Sequence, residues 1–304
     1  MFSSKNKSHF TPPVTLSRLE SAGALSHAVG KAKKRIPARL AVLDEASLPE
    51  KYKYLWYLKK EPDKAVARRE VFAQELFRLL IPGHTKTRLV IDERGDTFVA
   101  SKHIPGYTRL PNDLTSNVNI KREWNAKLKN GTYTGLGELT TISLLLNEVD
   151  LKNGNIALND KNQLIKFDGD WCFARLRAWS GNNITEHEID MLPFPGNYKP
   201  YNWLGIVAEN VRRPHPLLDS DISTNPRFRA EVNHALLKAL ILPEALIKNF
   251  IAAYIEDATE ATTLYNEFTD RRNQLAAAAF KNNSFLAYLK QLKQSSSWKP
   301  TWTI

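Results

Sequence analysis

Asp150, Lys152 and Asn155 stand close together in Leu144-Leu145-Leu146-Asn147-Glu148-Val149-Asp150-Leu151-Lys152-Asn153-Gly154-Asn155. Thirteen residues after Asn155 comes Asp168, within Ile165-Lys166-Phe167-Asp168-Gly169-Asp170. Two carboxylates, an amide and an ammonium at such spacing suit the movement of a charged group between oxygens. A carboxylate can orient a hydroxyl and take its proton. An amide oxygen and a second carboxylate can hold a hard divalent cation. The residues between them must bring the two groups into register. Ile156-Ala157-Leu158 and Gln163–Phe167 read as short strands, joined by Asn159-Asp160-Lys161-Asn162 as a hairpin turn. Such a hairpin places Asn155 and Asp168 at its two open ends.

Further elements frame this hairpin. Arg39–Leu43 and Tyr52–Lys59 read as strands, and Glu61-Pro62-Asp63 breaks the second. A helix is predicted from about Ala65 to Leu80, with Val66, Glu70, Ala73, Phe77 and Leu80 on one face and Pro82-Gly83 ending it. Thr87–Asp92 and Thr97–Ser101 are two strands turned by Arg94-Gly95-Asp96. Ile104-Pro105-Gly106-Tyr107 reads as a crossover, after which the pattern is mainly helical. Helices are predicted over Asn225–Leu240 and Pro243–Glu256, with one long helix over about Thr259–Leu292. Strands with one helix, then helices around one hairpin, make an α+β arrangement in two lobes.

Composition narrows the class. A chain of 304 residues with 42% hydrophobic residues can bury a sizeable core. The lone cysteine, Cys172, excludes an intrachain disulfide framework and a multi-cysteine metal site, and fits a reducing compartment. The N-terminal MFSSKNKSHFTPP lacks the apolar core of a secretory leader. No apolar run approaches the roughly 18 residues of a membrane span. The net charge is +11, with an isoelectric point near 9.5. That excess favours anionic partners or serves solubility. With no helix-turn-helix, zinc-finger or RNA-recognition signature, nucleic acid is not an expected partner. His187 between Glu186 and Glu188 does not form a zincin-type pair, because adjacent residues diverge on a helix.

Asp150-Leu151-Lys152-x-x-Asn155 resembles the D-L-K-x-x-N of Ser/Thr protein kinase catalytic loops, and the following hairpin and aspartate resemble that family's metal-binding segment. Two departures point to atypical branches. Glu148-Val149 stands where the family has His-Arg, and Asp168-Gly169-Asp170 stands where it has Asp-Phe-Gly. Glu70-x-x-Ala73-x-x-Leu76, ending at Ile81-Pro82, is similar to a helix of type II phosphatidylinositol 4-kinases and HipA-like kinases. The chain most resembles related kinases secreted as effectors by Legionella, over roughly residues 50–255. Phe167-Asp168-Gly169-Asp170-Trp171-Cys172-Phe173 and the segment from Leu192-Pro193 to Asn202-Trp203 carry that likeness.

The resemblance implies a kinase-like fold: a tail at 1–14, a strand-rich N-lobe over 15–103, a helical C-lobe over 104–294 and a tail at 295–304. It implies ATP with Mg²⁺ or Mn²⁺ as cofactors. Asp150 is then the base at the acceptor, Lys152 reaches the transferring phosphate, and Asn155 and Asp168 hold the metal. Lys59 binds the phosphates and pairs with Glu70, with Lys60 a rival for the first and Glu75 for the second. Asp170 is a rival for Asp168. No clear glycine-rich loop exists, although Gly23 and Gly30 sit where one might. Cys172 reads as a structural thiol behind the site.

The expected activity is transfer of the ATP γ-phosphate to a protein Ser/Thr acceptor. A phosphoinositide kinase and a pseudokinase-like binding module for inositol phosphates or anionic membranes are the alternatives, and a variant of the same chemistry would transfer AMP. Lys31, Lys33, Lys34, Arg35 and Arg39 form the densest basic run and are the candidates for binding a polyanion such as an inositol polyphosphate, together with Lys121, Arg122, Arg212 and Arg213. A secreted effector of this type would act in a host cytosol or at a membrane surface, after synthesis in a bacterial cytoplasm.

Overall fold

The structure is a computed structural model that describes residues 14–15, 39–43, 54–91, 95–102, 104, 106–110, 117–173, 183–195, 202–204, 206–207 and 218–295. Five strands form the first sheet: β1 (Val14–Thr15), β2 (Arg39–Leu43), β3 (Tyr54–Lys60), β4 (Thr87–Ile91) and β5 (Thr97–Lys102). Their order is β1-β4-β5-β3-β2, antiparallel except where β1 runs beside β4. Between β3 and β4 lies helix α1 (Lys64–Leu80), whose N-terminus Asp63 caps by accepting from the N–H groups of Ala65 and Val66.

The sequence predicts one apolar stripe on α1. Instead the helix is buried on most of its circumference, including Glu70, Gln74 and Glu75. The reason is its position. It packs on β4 and β5 on one side and on helices of the second lobe on the other, so its polar residues must find partners inside. It ends at Leu80, and the chain turns at Gly83 (φ +95°), a left-handed conformation that favours glycine and sets its backbone against the Gln163 and Asn159 side chains of the central hairpin.

After β6 (Thr108–Arg109) the chain is mainly helical: α2 (Val118–Asn130) and α3 (Leu136–Leu145) precede β7 (Asp150–Leu151), β8 (Ile156–Leu158) and β9 (Leu164–Lys166). Strands β6, β8 and β9 form one small antiparallel sheet. Then come α4 (Glu186–Met191), β10 (Asn202–Trp203), β11 (Ile206–Val207), α5 (Pro226–Leu240), α6 (Glu244–Tyr254), α7 (Ala258–Ala279) and α8 (Asn283–Gln294). Strand β7 pairs parallel with β10, which pairs with β11.

Helix α3 is the axis of this lobe. Nearly all its residues are buried, and Gly137 lets α5 approach so closely that a Cβ would meet the Phe228 carbonyl oxygen at 2.6 Å. One continuous apolar core runs from α1 through α3 and α5 to Phe285 of α8. The predicted long helix over 259–292 is two helices. Asn282 caps α8 by accepting from the Phe285 N–H, and its amide donates to Asp190 at 2.6 Å, which stops α7 at Phe280. No described helix is long and apolar enough to cross a membrane.

Candidate active site

The site lies between the two lobes. Successive strand residues face opposite sides, so β3 sends Lys59 and Lys60 apart. Lys60 pairs with Asp96. Lys59 turns inward: its Nζ lies 3.0 Å from Glu70 Oε2, 2.6 Å from Asp168 Oδ1 and 3.3 Å from Asp170 Oδ2. Glu75, the rival for Glu70, is spent elsewhere: it accepts from the Thr87 N–H at 2.6 Å and from Arg78 at 2.6 Å. The structure thus brings Lys59, Glu70, Asp168 and Asp170 together and leaves Lys60 and Glu75 outside the group.

Burial works against the Lys59 charge, but Glu70, Asp168 and Asp170 outweigh it and raise the pKa above the usual lysine value. Burial pushes the Glu70 carboxyl up to about 8, with Lys59 opposing. Burial also raises Asp170, and the neighbouring Asp168 adds to that. For Asp168 burial acts upward too, but Lys59 wins and holds it below the ordinary carboxylate range.

Below this group sits the Asp150 loop. A single 3₁₀ turn over Asn153–Asn155 folds the loop back, and the Asn155 amide nitrogen donates to the Asp150 carbonyl at 2.9 Å and to its Oδ2 at 3.2 Å. Lys152 pairs with the same Oδ2. Asp150 Oδ1 is buried and has no hydrogen-bond partner among the described residues. With its nitrogen spent on Asp150, Asn155 has its amide oxygen to offer a cation. The hairpin works as its sequence predicts: Ile156 pairs with Lys166, and the Phe167 N–H donates to the Asn155 carbonyl at 3.1 Å, which sets Asp168 one residue beyond Asn155's partner.

Asp168 adopts a left-handed backbone (φ +66°), a conformation that costs a non-glycine residue about 1–3 kcal/mol and needs support. Two side chains supply it. Gln74, with its amide oxygen facing the segment, accepts from the N–H groups of Asp168 at 2.6 Å and Gly169 at 3.0 Å. Lys166 Nζ donates to the Asp168 carbonyl at 2.6 Å. Lys166 is wholly buried and stands 2.7 Å from Glu148 Oε2, also wholly buried. Burial disfavours the ammonium, but Glu148 outweighs it and keeps the pKa above the usual value. The Lys166 N–H donates to His84 Nε2 at 3.1 Å. Cys172 donates its S–H to Glu148 at 3.0 Å and is buried, which together with that carboxylate pushes the thiol pKa up.

Gln74, Glu148, Lys166 and His84 were not among the predicted site residues. A signal existed for three of them. Gln74 lies four residues after Glu70, hence on the same helix face. Glu148 and Lys166 are opposite charges inside apolar runs, each two residues before a candidate aspartate. His84 carried no local signal, because only the fold brings it to β9.

Hard oxygen donors suit Mg²⁺, and the Asp168 and Asp170 carboxylates with the Asn155 amide oxygen form a set of that kind. Asp170 Oδ1 is a buried oxygen without a hydrogen-bond partner among the described residues, consistent with a role as an additional donor. No group of three or more His, Cys, Asp or Glu side chains is arranged to hold a metal among the described residues. Lys31, Lys33, Lys34, Arg35, Arg212 and Arg213 lie outside the described residues, as do Gly23 and Gly30; of Arg39 only the backbone, in β2, is described. Lys121 lies 3.9 Å from Asp219, and Arg122 bonds to Asn119.

A strand-rich lobe with one helix, a helical lobe, and a lysine–glutamate pair facing a loop and hairpin between them define a two-lobed, protein-kinase-like fold. A solved structure of this kind is the Helicobacter pylori proinflammatory kinase CtkA, which matches with a TM-score of 0.53 and 13% sequence identity, over 92% of this chain and 99% of that one. At that identity the likeness shows the fold. No protein-family profile matches the chain, and no curated protein does. The finer resemblances to Legionella effectors, HipA-like kinases and type II phosphatidylinositol 4-kinases rest on their motifs alone.

Proposed function

We propose that the chain is an ATP-dependent, Mg²⁺-requiring phosphotransferase acting on a protein Ser/Thr hydroxyl. The observation that carries this reading is the convergence of Lys59, Glu70 and Asp168 from β3, α1 and the end of β9. Glu70 holds Lys59 toward the cleft, where its ammonium would meet the nucleotide phosphates. Bound Mg²⁺ would neutralise phosphate charge, held by Asp168 and Asn155 with Asp170 as a further candidate. Asp150 is fixed through its Oδ2 by Asn155 and Lys152, which leaves Oδ1 to orient the acceptor hydroxyl and take its proton. The acceptor oxygen then bonds to the γ-phosphorus as the β–γ bridging bond breaks, and ADP leaves. Lys152, beside Asp150, is placed to steady charge on the moving phosphoryl group.

The test is radiolabelled ATP with the protein, cell extract or lipid vesicles, with Mg²⁺ or chelator, and with inositol polyphosphate added or withheld. The expected result is γ-label in protein, Mg²⁺-dependent, falling about 10²–10⁴-fold in Asp150→Ala while ATP affinity stays close to the parent's. Label from the α-position would mean AMP transfer, and label in lipid alone would mean a phosphoinositide kinase. Absence of turnover with retained polyanion binding would favour the binding module.

A further inference from the structure

Among the buried groups that the proposed reaction does not itself use, the Glu148–Lys166 pair has the most specific surroundings. Both side chains are fully buried and stand 2.7 Å apart. Burying two charges costs several kcal/mol per ion before their attraction is counted, and an apolar pair of the same volume often serves stability as well. Stability therefore does not explain the pair; its other bonds do. Glu148 Oε1 accepts from the Asp150 N–H at 2.7 Å, while Lys166 Nζ donates to the Asp168 carbonyl at 2.6 Å. The pair is thus a bridge from the backbone of one site aspartate to the backbone of the other. Its Glu148 end is held from outside as well, where Trp203 donates its indole N–H to the Glu148 carbonyl at 2.7 Å and Cys172 donates to Oε2.

Resting on the phosphotransferase reading, we propose that Glu148 and Lys166 are positioning residues that set Asp150 and Asp168 at a fixed separation through this charge pair. Neither touches substrate. Hydrophobic packing tolerates small slips, whereas a hydrogen-bonded ion pair admits one geometry, and a displacement of about 1 Å at a reacting group can cost on the order of a hundredfold in rate.

The experiment compares the parent, Lys166→Met, and the double variant Glu148→Gln/Lys166→Met. The double variant keeps the volumes and removes both charges. It should melt within a few degrees of the parent and closer to it than Lys166→Met does, because the single variant strands a buried carboxylate. It should nevertheless show kcat lowered about tenfold to a hundredfold and a higher Mg²⁺ requirement. Its amides at Asp150, Asp168 and Gly169 should exchange with deuterium faster, while those of α3 keep their protection. A double variant with parental kcat, Mg²⁺ dependence and local exchange overturns the proposal. If the parent shows no turnover, the phosphotransferase reading fails and the exchange comparison alone decides positioning. If the double variant does not fold, the parent decides: an Asp150 amide as slow as those of α3 supports the bridge, and a fast one overturns it.

Discussion

Lys59 and Lys166 are both lysines at the ends of strands, both within reach of Asp168, and they live in opposite conditions. Lys59 is 32% exposed and shares its ammonium among three carboxylates. Lys166 is 0% exposed, and among the described residues it has one carboxylate partner, Glu148, and donates to the backbone carbonyls of Phe167 and Asp168. The first is an exchangeable contact. On the proposed reading, a nucleotide and metal entering the cleft would take Asp168 and the ammonium for themselves and leave Glu70 as the permanent partner. The second cannot be exchanged, since nothing reaches it and every alternative leaves a charge stranded. Exposure, more than distance, separates an ion pair available for chemistry from one that holds the frame.

Lys59→Ala should lower phosphoryl transfer by about 10²–10³-fold, the scale seen when a preorganised charge-stabilising donor is removed. Lys60→Ala should stay near the parent, since among the described residues Lys60 pairs with Asp96, outside the group around Asp168. The reverse pattern in a transfer assay would place the phosphate lysine one residue on. At the other pole, Lys166→Met should destabilise by about 3–5 kcal/mol, read from urea unfolding. A loss below about 1 kcal/mol would mean that the pair is not rigid.

Gln74→Ala removes the acceptor for the Asp168 and Gly169 N–H groups, and should cost about 1–3 kcal/mol and raise the Mg²⁺ needed for half-maximal rate. A pH dependence of stability is expected at His84. Burial holds its pKa down, from 6.5 to about 3. The native state keeps His84 neutral while the unfolded chain takes up a proton. Stability is therefore full above about 6.5 and is lost as pH falls from there toward about 3. At pH 5 the loss should be about 2 kcal/mol, and His84→Gln, which can still accept from the Lys166 N–H, should flatten that slope in urea melts.

How far these features could be read from the chain varied with their range. The hairpin, the Asp150–Asn155 loop and Asp168 are local, carried by turn chemistry and by spacing within about twenty residues. The Lys59–Glu70 pair was legible as one choice among four, and strand alternation with the Arg78 and Thr87 contacts of Glu75 decided it. The break between α7 and α8 was missed because apolar spacing runs through it, while one asparagine cap stops the helix. His84 was missed because its contact with Lys166 joins residues 82 apart in sequence. Glu148 and Lys166 were visible only as charges in apolar company, and their partnership needed the fold.

On the proposed reading, Lys59, Glu70, Asp168 and Asn155 make a metal–nucleotide site. Titration calorimetry of ATP against the purified protein, with Mg²⁺ and with chelator, tests it most directly. The expected result is one saturable site that requires Mg²⁺, is lost in Asp168→Ala, and survives in Asp150→Ala. Binding of equal strength without metal, or undiminished in Asp168→Ala, would contradict the assignment.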